Sequence, residues 1–366
     1  MIILRYIGRE ISVTLLGILL VLLLIYMGDY AIRLLDAPGE AAMPPLVVLQ
    51  ILLYKAIGAL IFLVPLALFL SVMIGLGRLY KDSEMTALAA CGVSIRSTYL
   101  AVGGLSVLVA CFVALVSLWG APWAEEQSYR LQDRESARGE LGEVAVGRFL
   151  QFEQAGGVLY AARHAASDQS MEQIFINGTL DAQPVLLYAR TATYVTDEGS
   201  GVRYLILQDG QRYEGRAGDP TFRITEFKRH AIRLPDVQVH PSERKHFARQ
   251  TLALWQSGQP ADWAELQWRV SMPLAALLLA IFAVPFSYSS PRQGKYAKLF
   301  GAVIVYAIYG DLIGMSQSWA ARGIIPVGLG VWWVHGLMVI AIALMLIRRY
   351  GLYWLFVMMF NRMPAR

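Results

Sequence analysis

The chain has 366 residues, of which 56% are hydrophobic and 16% are charged, whereas an ordinary soluble domain has roughly 25% charged residues. Segments 56–76, 99–119 and 326–347 contain no Asp, Glu, Lys or Arg, and each is long enough to cross about 30 Å of hydrocarbon as a helix. These features exclude a soluble enzyme, a disordered chain and a disulfide-rich secreted domain. They predict an integral membrane protein.

Six apolar segments predict six transmembrane helices, at about 11–28, 55–77, 98–120, 270–289, 299–319 and 326–347. The second helix can begin earlier, because Leu46–Tyr54 is also apolar, although Lys55 interrupts it. The predicted organisation is three helices in 1–123, a separate domain in 124–268, and three helices with a short tail in 269–366. The net charge of +5 is uneven, since 124–268 holds 16 basic and 20 acidic residues. The basic excess therefore lies beside the membrane and does not indicate nucleic-acid binding.

Basic residues of the short loops predict the orientation. One side of the membrane holds Arg5, Arg9, Arg78, Lys81, Arg96, Arg292, Lys295, Lys298, Arg348, Arg349, Arg362 and Arg366. The opposite side holds Arg33 and Arg322. Short cytoplasmic loops carry an excess of Lys and Arg, so we expect both termini in the cytoplasm and residues 124–268 outside.

Residues 124–268 have the pattern of antiparallel β structure, with short β-branched and aromatic runs between turn signals. Val202–Leu207 and Gln211–Glu214 flank Asp209-Gly210, which predicts a hairpin turn, and Asn177-Gly178 predicts another. Glu125–Arg138 is different and can continue the third helix outward. A sandwich, a jelly roll and an open barrel all fit the pattern, and each can act as a sensor, an adhesive module or a lipid-holding groove.

No conventional active site can be assembled from the sequence. The chain lacks a G-x-x-x-x-G-K-[ST] phosphate loop and a nucleophile elbow. His240 and His246 are six residues apart around Pro241, which is a poor spacing for a metal site. We therefore predict a protein that is not an enzyme and has no metal site.

The loop between the second and third spans predicts a short amphipathic helix at about 80–92. Asp82 or Ser83 suits the N-cap, Glu84 suits the positive helix end, and Gly92 suits the stop. Its apolar face consists of Met85, Leu88 and Ala89. Such a helix can receive force from a soluble partner, or it can lie on the lipid headgroups.

This loop, together with Glu265–Arg269 before the fourth span and Ser290–Lys295 after it, resembles the LptF/LptG-type permeases of the lipopolysaccharide export ABC transporter. The start Met1–Tyr6 and the run Leu63–Leu66 are also similar to that family, and closer to its LptF branch. The resemblance covers essentially the whole chain, with the strongest motifs in the membrane half. It is specific because layout, length and three separate motifs agree.

The resemblance implies six transmembrane α-helices with an antiparallel β-jelly-roll domain, 124–268, inserted on the periplasmic side of a Gram-negative inner membrane. It implies an LptG-like second permease, a homodimeric LptB-like cytoplasmic ATPase that binds ATP and Mg²⁺, and LptC-like and LptA-like periplasmic jelly-roll proteins. The assembly would extract lipopolysaccharide from the outer leaflet and pass it through the jelly roll to a periplasmic bridge. This chain would itself hold no cofactor.

The family's coupling helix, which enters a groove of the ATPase, corresponds to 80–92. The candidate coupling residues are Glu84, Tyr80, Asp82, Met85 and Leu88. At the outer ends of the first two spans, Arg33 and Lys55 are candidates to meet substrate phosphate. Arg33 can instead pair with Asp29 four residues earlier, and Lys55 can extend its ammonium towards water. Tyr30 stands where the family often has a second basic residue.

Acyl chains of the substrate would need an apolar cavity. Its candidate lining residues are Leu22, Ile25, Tyr26, Leu60, Phe62, Leu63, Leu66 and Ile304, which can equally face lipid or neighbouring helices. Asp311 is a candidate functional residue because a carboxylate inside a span is unfavourable. Gly310 and Gly314 give the same helix a small face on which another helix can pack.

Two other functions compete with export. A membrane-anchored periplasmic sensor or scaffold without transport activity is disfavoured because the cytoplasmic loops and tails are too short for an output domain. An ion-coupled or proton-coupled transporter is disfavoured because Asp311 is nearly alone among ionisable residues within the spans.

Overall fold

The computed structural model describes residues 2–36, 44–141, 149–152, 157–164, 170–180, 183–196, 203–215, 223–233, 244–288 and 295–351. The α-helices are α1 (Ile2–Asp36), α2 (Pro45–Lys81), α3 (Glu84–Ala90), α4 (Ile95–Leu115), α5 (Ala121–Leu141), α6 (Thr251–Ser257), α7 (Pro260–Phe286), α8 (Lys295–Ala321) and α9 (Trp332–Tyr350). A π-helical turn, Val116–Gly120, joins α4 to α5, and a 3₁₀ turn covers His246–Ala248. The strands are β1 (Phe149–Phe152), β2 (Gly157–His164), β3 (Ser170–Leu180), β4 (Gln183–Thr196), β5 (Arg203–Glu214) and β6 (Arg223–Arg233).

Six helices of the described chain are long and apolar enough to cross a membrane, which confirms the predicted number. They are Ile2–Leu34, Pro45–Lys81, Ile95–Arg134, Pro260–Phe286, Lys298–Ala321 and Trp332–Tyr350. Several extend beyond the predicted limits; the 37 residues of α2 would reach about 55 Å. Lys55 does not end α2 because its ammonium is paired with Glu125 at 2.5 Å. The predicted outward continuation of the third span is confirmed, since α4, the π turn and α5 follow without a break.

The chain divides into two compact units, Met1–Arg130 with Glu243–Arg366, and Leu131–Ser242. The second unit is shorter than the predicted domain 124–268. Part of the difference arises because polar residues near the end of the predicted domain belong to a packed helix: Asp262 and Glu265 lie in α7 and are buried.

Helix α7 forms the centre of the helical unit and packs against α2, α4, α8 and α9. Its buried surface is rich in alanine, with Ala276, Ala280 and Ala283 fully buried. Small side chains let helix backbones approach closely in a membrane, where hydrophobic driving force between helices is lacking. This explains how α7 can pack closely against several helices at once.

The second unit contains one antiparallel sheet in which the six described strands follow chain order, β1-β2-β3-β4-β5-β6. An inserted antiparallel β domain is therefore confirmed. Its buried core includes Leu159, Met171, Ile174, Leu187 and Leu205. The second unit therefore has a hydrophobic core of its own.

The predicted turns at Asp209-Gly210 and Asn177-Gly178 are wrong, because both pairs lie inside strands, β5 and β3. Asp209 has a positive φ of 51° without ending β5. A side chain at Gly210 would lie 2.4 Å from the Tyr188 carbonyl oxygen and 2.5 Å from the Phe227 ring. A glycine is needed at this position because β4 and β6 approach it closely. Local sequence cannot reveal that approach.

Ladder pairing is interrupted along one line that crosses five adjacent strands, β2 to β6. The residues on this line are Ala162, Gln173, Arg190, Asp209 and Lys228. Across this line the buried positions change from odd-numbered to even-numbered residues. The change occurs between Met171 and Ile174 in β3 and between Leu207 and Gly210 in β5. Since side chains normally alternate between the two faces of a strand, the positive φ angles at Gln173 and Asp209 explain the change.

Candidate functional site

The predicted short helix is present as α3, but it begins at Glu84 because Tyr80 and Lys81 belong to α2. Ser83 separates the two helices with a left-handed φ of 60°, and its side chain makes no capping hydrogen bond. Gly92, with φ of 85°, follows α3 as predicted. Residues 82–92 are called the lever below.

The two faces of the lever differ. Met85 is buried, and Leu88 packs half-buried against the same helical core. Asp82 is exposed, and so is Ala89, which the sequence analysis had grouped with the apolar face. Met85 and Leu88 therefore attach the lever to this chain's own helices. The face open to a separate protein carries small side chains, namely Thr86, Ala87, Ala89 and Ala90.

Glu84 is held by the first helix. The Tyr6 hydroxyl donates a hydrogen bond to Glu84 Oε2 at 2.7 Å. One turn further along α1, Glu10 Oε1 pairs with Arg78 Nη1 at 3.0 Å. The two interactions lie on either side of the turn that begins the lever.

Tyr80 connects the end of α2 to the end of α9. The Arg349 guanidinium carbon lies 4.0 Å from the centre of the Tyr288 ring and 5.8 Å from that of Tyr80. Arg349 Nη2 also donates to the Tyr80 hydroxyl at 3.3 Å, and the Tyr80 and Tyr288 rings meet edge-on at 5.3 Å. Such cation–π contacts contribute about 0.5–2 kcal/mol each. Tyr80 is thus half-buried among residues of its own chain.

Both candidate phosphate contacts have carboxylate partners. Arg33 Nη2 lies 2.8 Å from Asp29 Oδ2, and both side chains are largely exposed. An exposed pair four residues apart in a helix is weak, about 0.3–0.5 kcal/mol, so Arg33 remains accessible to an anion. The side chain of Lys55 is only 16% exposed, and its ammonium is paired with Glu125. The ammonium also lies 5.9 Å from the centre of the Tyr30 ring. An anion can reach Lys55 only by displacing Glu125.

The eight predicted cavity residues are all exposed or half-buried within this chain. Ile25, Phe62 and Ile304 are 63%, 48% and 42% exposed, so they are free to meet lipid, substrate or another helix. Phe62 also lies where α8 joins α2, since the Tyr306 hydroxyl donates to the Phe62 carbonyl oxygen at 2.7 Å.

Asp311 is exposed on α8. A side chain added at Gly310 or Gly314 would meet no atom of the described residues within 4 Å. This face of α8 is therefore open in the isolated chain.

Comparisons with known proteins identify the family. A model of the lipopolysaccharide export system permease LptF/LptG matches residues 5–349. The chain belongs to the LptF/LptG family. The lipopolysaccharide export system permease protein LptF of Escherichia coli strain K12 is 29% identical over 351 residues, which cover 94% of each chain. Proteins of the same name from Escherichia coli O157:H7 and Shigella flexneri match with the same identity and coverage.

As an LptF/LptG permease, the chain is a transporter subunit of the lipopolysaccharide export system and not a catalytic enzyme. The family resemblance noted in the sequence is thereby confirmed. The sensor or scaffold alternative is not favoured. The residues named from the sequence that lie outside the described residues are Met1, Val202, His240, Pro241, Ser290, Arg292, Arg362 and Arg366. His246 Nδ1 lies 2.6 Å from Asp262 Oδ1.

The Glu265–Arg269 motif of this permease builds a buried polar network that sequence reasoning did not anticipate. Arg269 is 1% exposed and donates to Glu265 Oε1 at 3.0 Å and to Thr251 Oγ1 at 2.8 Å. Its Nη2 faces the carbonyl oxygens of His246, Phe247 and Arg249 at 3.0–3.3 Å. Glu265 Oε2 accepts from Gln317 of α8 at 2.9 Å. The network therefore fixes the segment preceding α6 to α7 and α8.

Sequence signals existed for only part of these contacts. Glu265 and Arg269 are four residues apart, which is the spacing of a helical ion pair. Tyr6 and Glu84 are separated by 78 residues, and Lys55 and Glu125 by 70, so no local pattern could pair them.

Proposed function

We propose that this permease sits in the inner membrane of a Gram-negative bacterium, with both termini in the cytoplasm and the β unit in the periplasm. The distribution of Lys and Arg among the short loops supports this orientation. In this arrangement the lever faces the cytoplasm, and Arg33 and Lys55 lie at the periplasmic side of the membrane. Lipopolysaccharide enters there from the outer leaflet and leaves through the β unit towards LptC-like and LptA-like proteins.

A homodimeric LptB-like ATPase binds ATP and Mg²⁺ and drives the transport. An LptG-like chain completes the membrane part. The lever is the contact with the ATPase, and the observation that carries this proposal is its two-sided packing. Its inner face is anchored by Met85, while its outer face is free and lined by small residues. A rigid short helix between two spans transmits a displacement instead of absorbing it.

Lipopolysaccharide phosphates are recognised at the outer end of α1. Arg33 is accessible and its partner Asp29 is 55% exposed, so phosphate can replace that carboxylate with little loss. Lys55 binds phosphate only after Glu125 has moved away, because the Lys55–Glu125 pair is largely desolvated. Exchange of one anion for another keeps Lys55 neutralised throughout.

Co-purification from native membranes tests the assembly. A tagged chain should recover a nucleotide-binding subunit and a second six-span chain in defined ratio. Replacing Glu84 with Arg should reduce recovery of the nucleotide-binding subunit, whereas replacing exposed Ile2 with Ala should leave it unchanged. Recovery of the chain without any nucleotide-binding subunit would refute the proposal.

A further inference from the structure

The first helix and the lever are joined at one place. Tyr6 and Glu10 are four residues apart, so they lie on the same face of α1. Tyr6 donates to Glu84 at the first position of α3, and Glu10 pairs with Arg78 near the end of α2. These contacts bracket the turn at Ser83.

The packing of α1 is concentrated near the same end. Ile7, Ile11 and Leu15 are buried at intervals of four residues. A side chain at Gly75 would lie 3.4 Å from Ile11 Cγ1, which shows how closely α1 approaches α2 there. Among the described residues of α1 beyond Leu15, only Leu34 is buried. The cytoplasmic third of α1 is thus the part whose side chains are buried against α2, whereas the described side chains of the remainder are mostly exposed or half-buried.

We propose that Tyr6 is a positioning residue that connects the lever to α1 through the Glu84 carboxylate. This inference rests on the proposed coupling function. When the ATPase displaces the lever, the bond from Tyr6 carries the displacement to the base of α1. Because only Leu34 is buried among the described side chains of α1 beyond Leu15, a movement at the base changes the position of its outer end, where Arg33 lies.

The geometry allows Glu84 to contact Tyr6 and the ATPase at the same time. Tyr6 occupies Oε2, and within the described residues Oε1 receives no hydrogen bond. A cation of the ATPase can therefore bind Oε1 while Tyr6 remains in place. Holding the carboxylate in one rotamer before the partner arrives reduces the entropy lost on association.

A double-mutant cycle in the reconstituted transporter tests this inference. The complexes compared are wild type, Tyr6→Phe, Glu84→Ala and the double variant, each assayed for lipopolysaccharide released per ATP hydrolysed. Tyr6 is 42% exposed, so removing its hydroxyl should not impair folding. We expect Tyr6→Phe to lower the release ratio roughly three- to tenfold, the range for one hydrogen bond, without reducing the amount of assembled complex.

The control is Tyr99→Phe, which removes a buried hydroxyl with no hydrogen-bond partner among the described residues and should leave the ratio unchanged. In the Glu84→Ala background, Tyr6→Phe should have no further effect, because its acceptor is gone. An impaired Glu84→Ala variant with a normal Tyr6→Phe variant would overturn the inference and leave the proposed function standing. Equal losses from Tyr6→Phe in both backgrounds would also overturn it. A normal Glu84→Ala variant would instead refute the lever itself.

Discussion

Replacing Arg269 with Met should destabilise the helical unit, because the buried Glu265 carboxylate would lose its cation. The guanidinium is 1% exposed and lies 3.0 Å from that carboxylate. Removing one partner of a buried ion pair costs about 3–5 kcal/mol. Three backbone carbonyls also lose the two N–H groups of Nη2 that they share, and each lost hydrogen bond costs about 1 kcal/mol if water does not replace it. We expect the free energy of unfolding to fall by at least about 3 kcal/mol.

The matched control is the double variant Arg269→Met with Glu265→Gln. Removing both charges eliminates the unpaired carboxylate, so the double variant should recover at least about 2 kcal/mol relative to the single variant. Unfolding can be followed in detergent by the fluorescence of Trp263 and Trp268, which flank Glu265 on α7. If Arg269→Met unfolds like the wild type, or if the double variant is no more stable than the single one, the reasoning is refuted.

Four further changes have defined outcomes. Glu84→Arg should weaken association with the ATPase by at least about tenfold without affecting membrane insertion; unchanged ATP-driven release would contradict the lever assignment. Arg33→Glu should reduce crosslinking of lipopolysaccharide to probes near that position, whereas Arg33→Lys should retain most of it; equal crosslinking in both would reject the phosphate contact. Gly210→Val should destabilise the β unit by about 1–3 kcal/mol through overpacking, seen as faster hydrogen exchange in β4 to β6; wild-type exchange would show that the sheet tolerates the side chain. Arg349→Lys keeps the charge but loses the planar stacking on the tyrosine rings, so the free energy of unfolding of the helical unit should fall by about 1 kcal/mol. An unchanged free energy of unfolding would mean that the tyrosine contacts contribute nothing.

The number of spans could be predicted from the sequence because each crossing needs about 20 apolar residues regardless of tertiary context. Their limits could not, because charged residues near the ends are satisfied by distant partners. Lys55 lies within α2 through Glu125 of α5, and Arg269 lies within α7 through Glu265 and the carbonyls of residues 246–249. A charged residue therefore marks the end of a helix only when no carboxylate or carbonyl oxygen of the folded chain pairs with it.

The same limit applies to the β unit and to the candidate site. Asp209-Gly210 has the local signature of a hairpin, but β4 and β6 approach Gly210 from both sides and hold it within a strand. The lever was recognisable from Glu84, from Gly92 and from the spacing of Met85 and Leu88, although Ser83 makes no capping hydrogen bond. The orientation of Met85 towards the core, and the bond from Tyr6 to Glu84, depend on helix packing and could not be read from the sequence.

The central claim is that this permease moves lipopolysaccharide only when a separate ATPase displaces its lever. The direct measurement is lipopolysaccharide release from proteoliposomes that contain this chain and its LptG-like partner, with and without the ATPase and ATP. We expect release only when the ATPase and hydrolysable ATP are both present. Release from vesicles that lack the ATPase would contradict it.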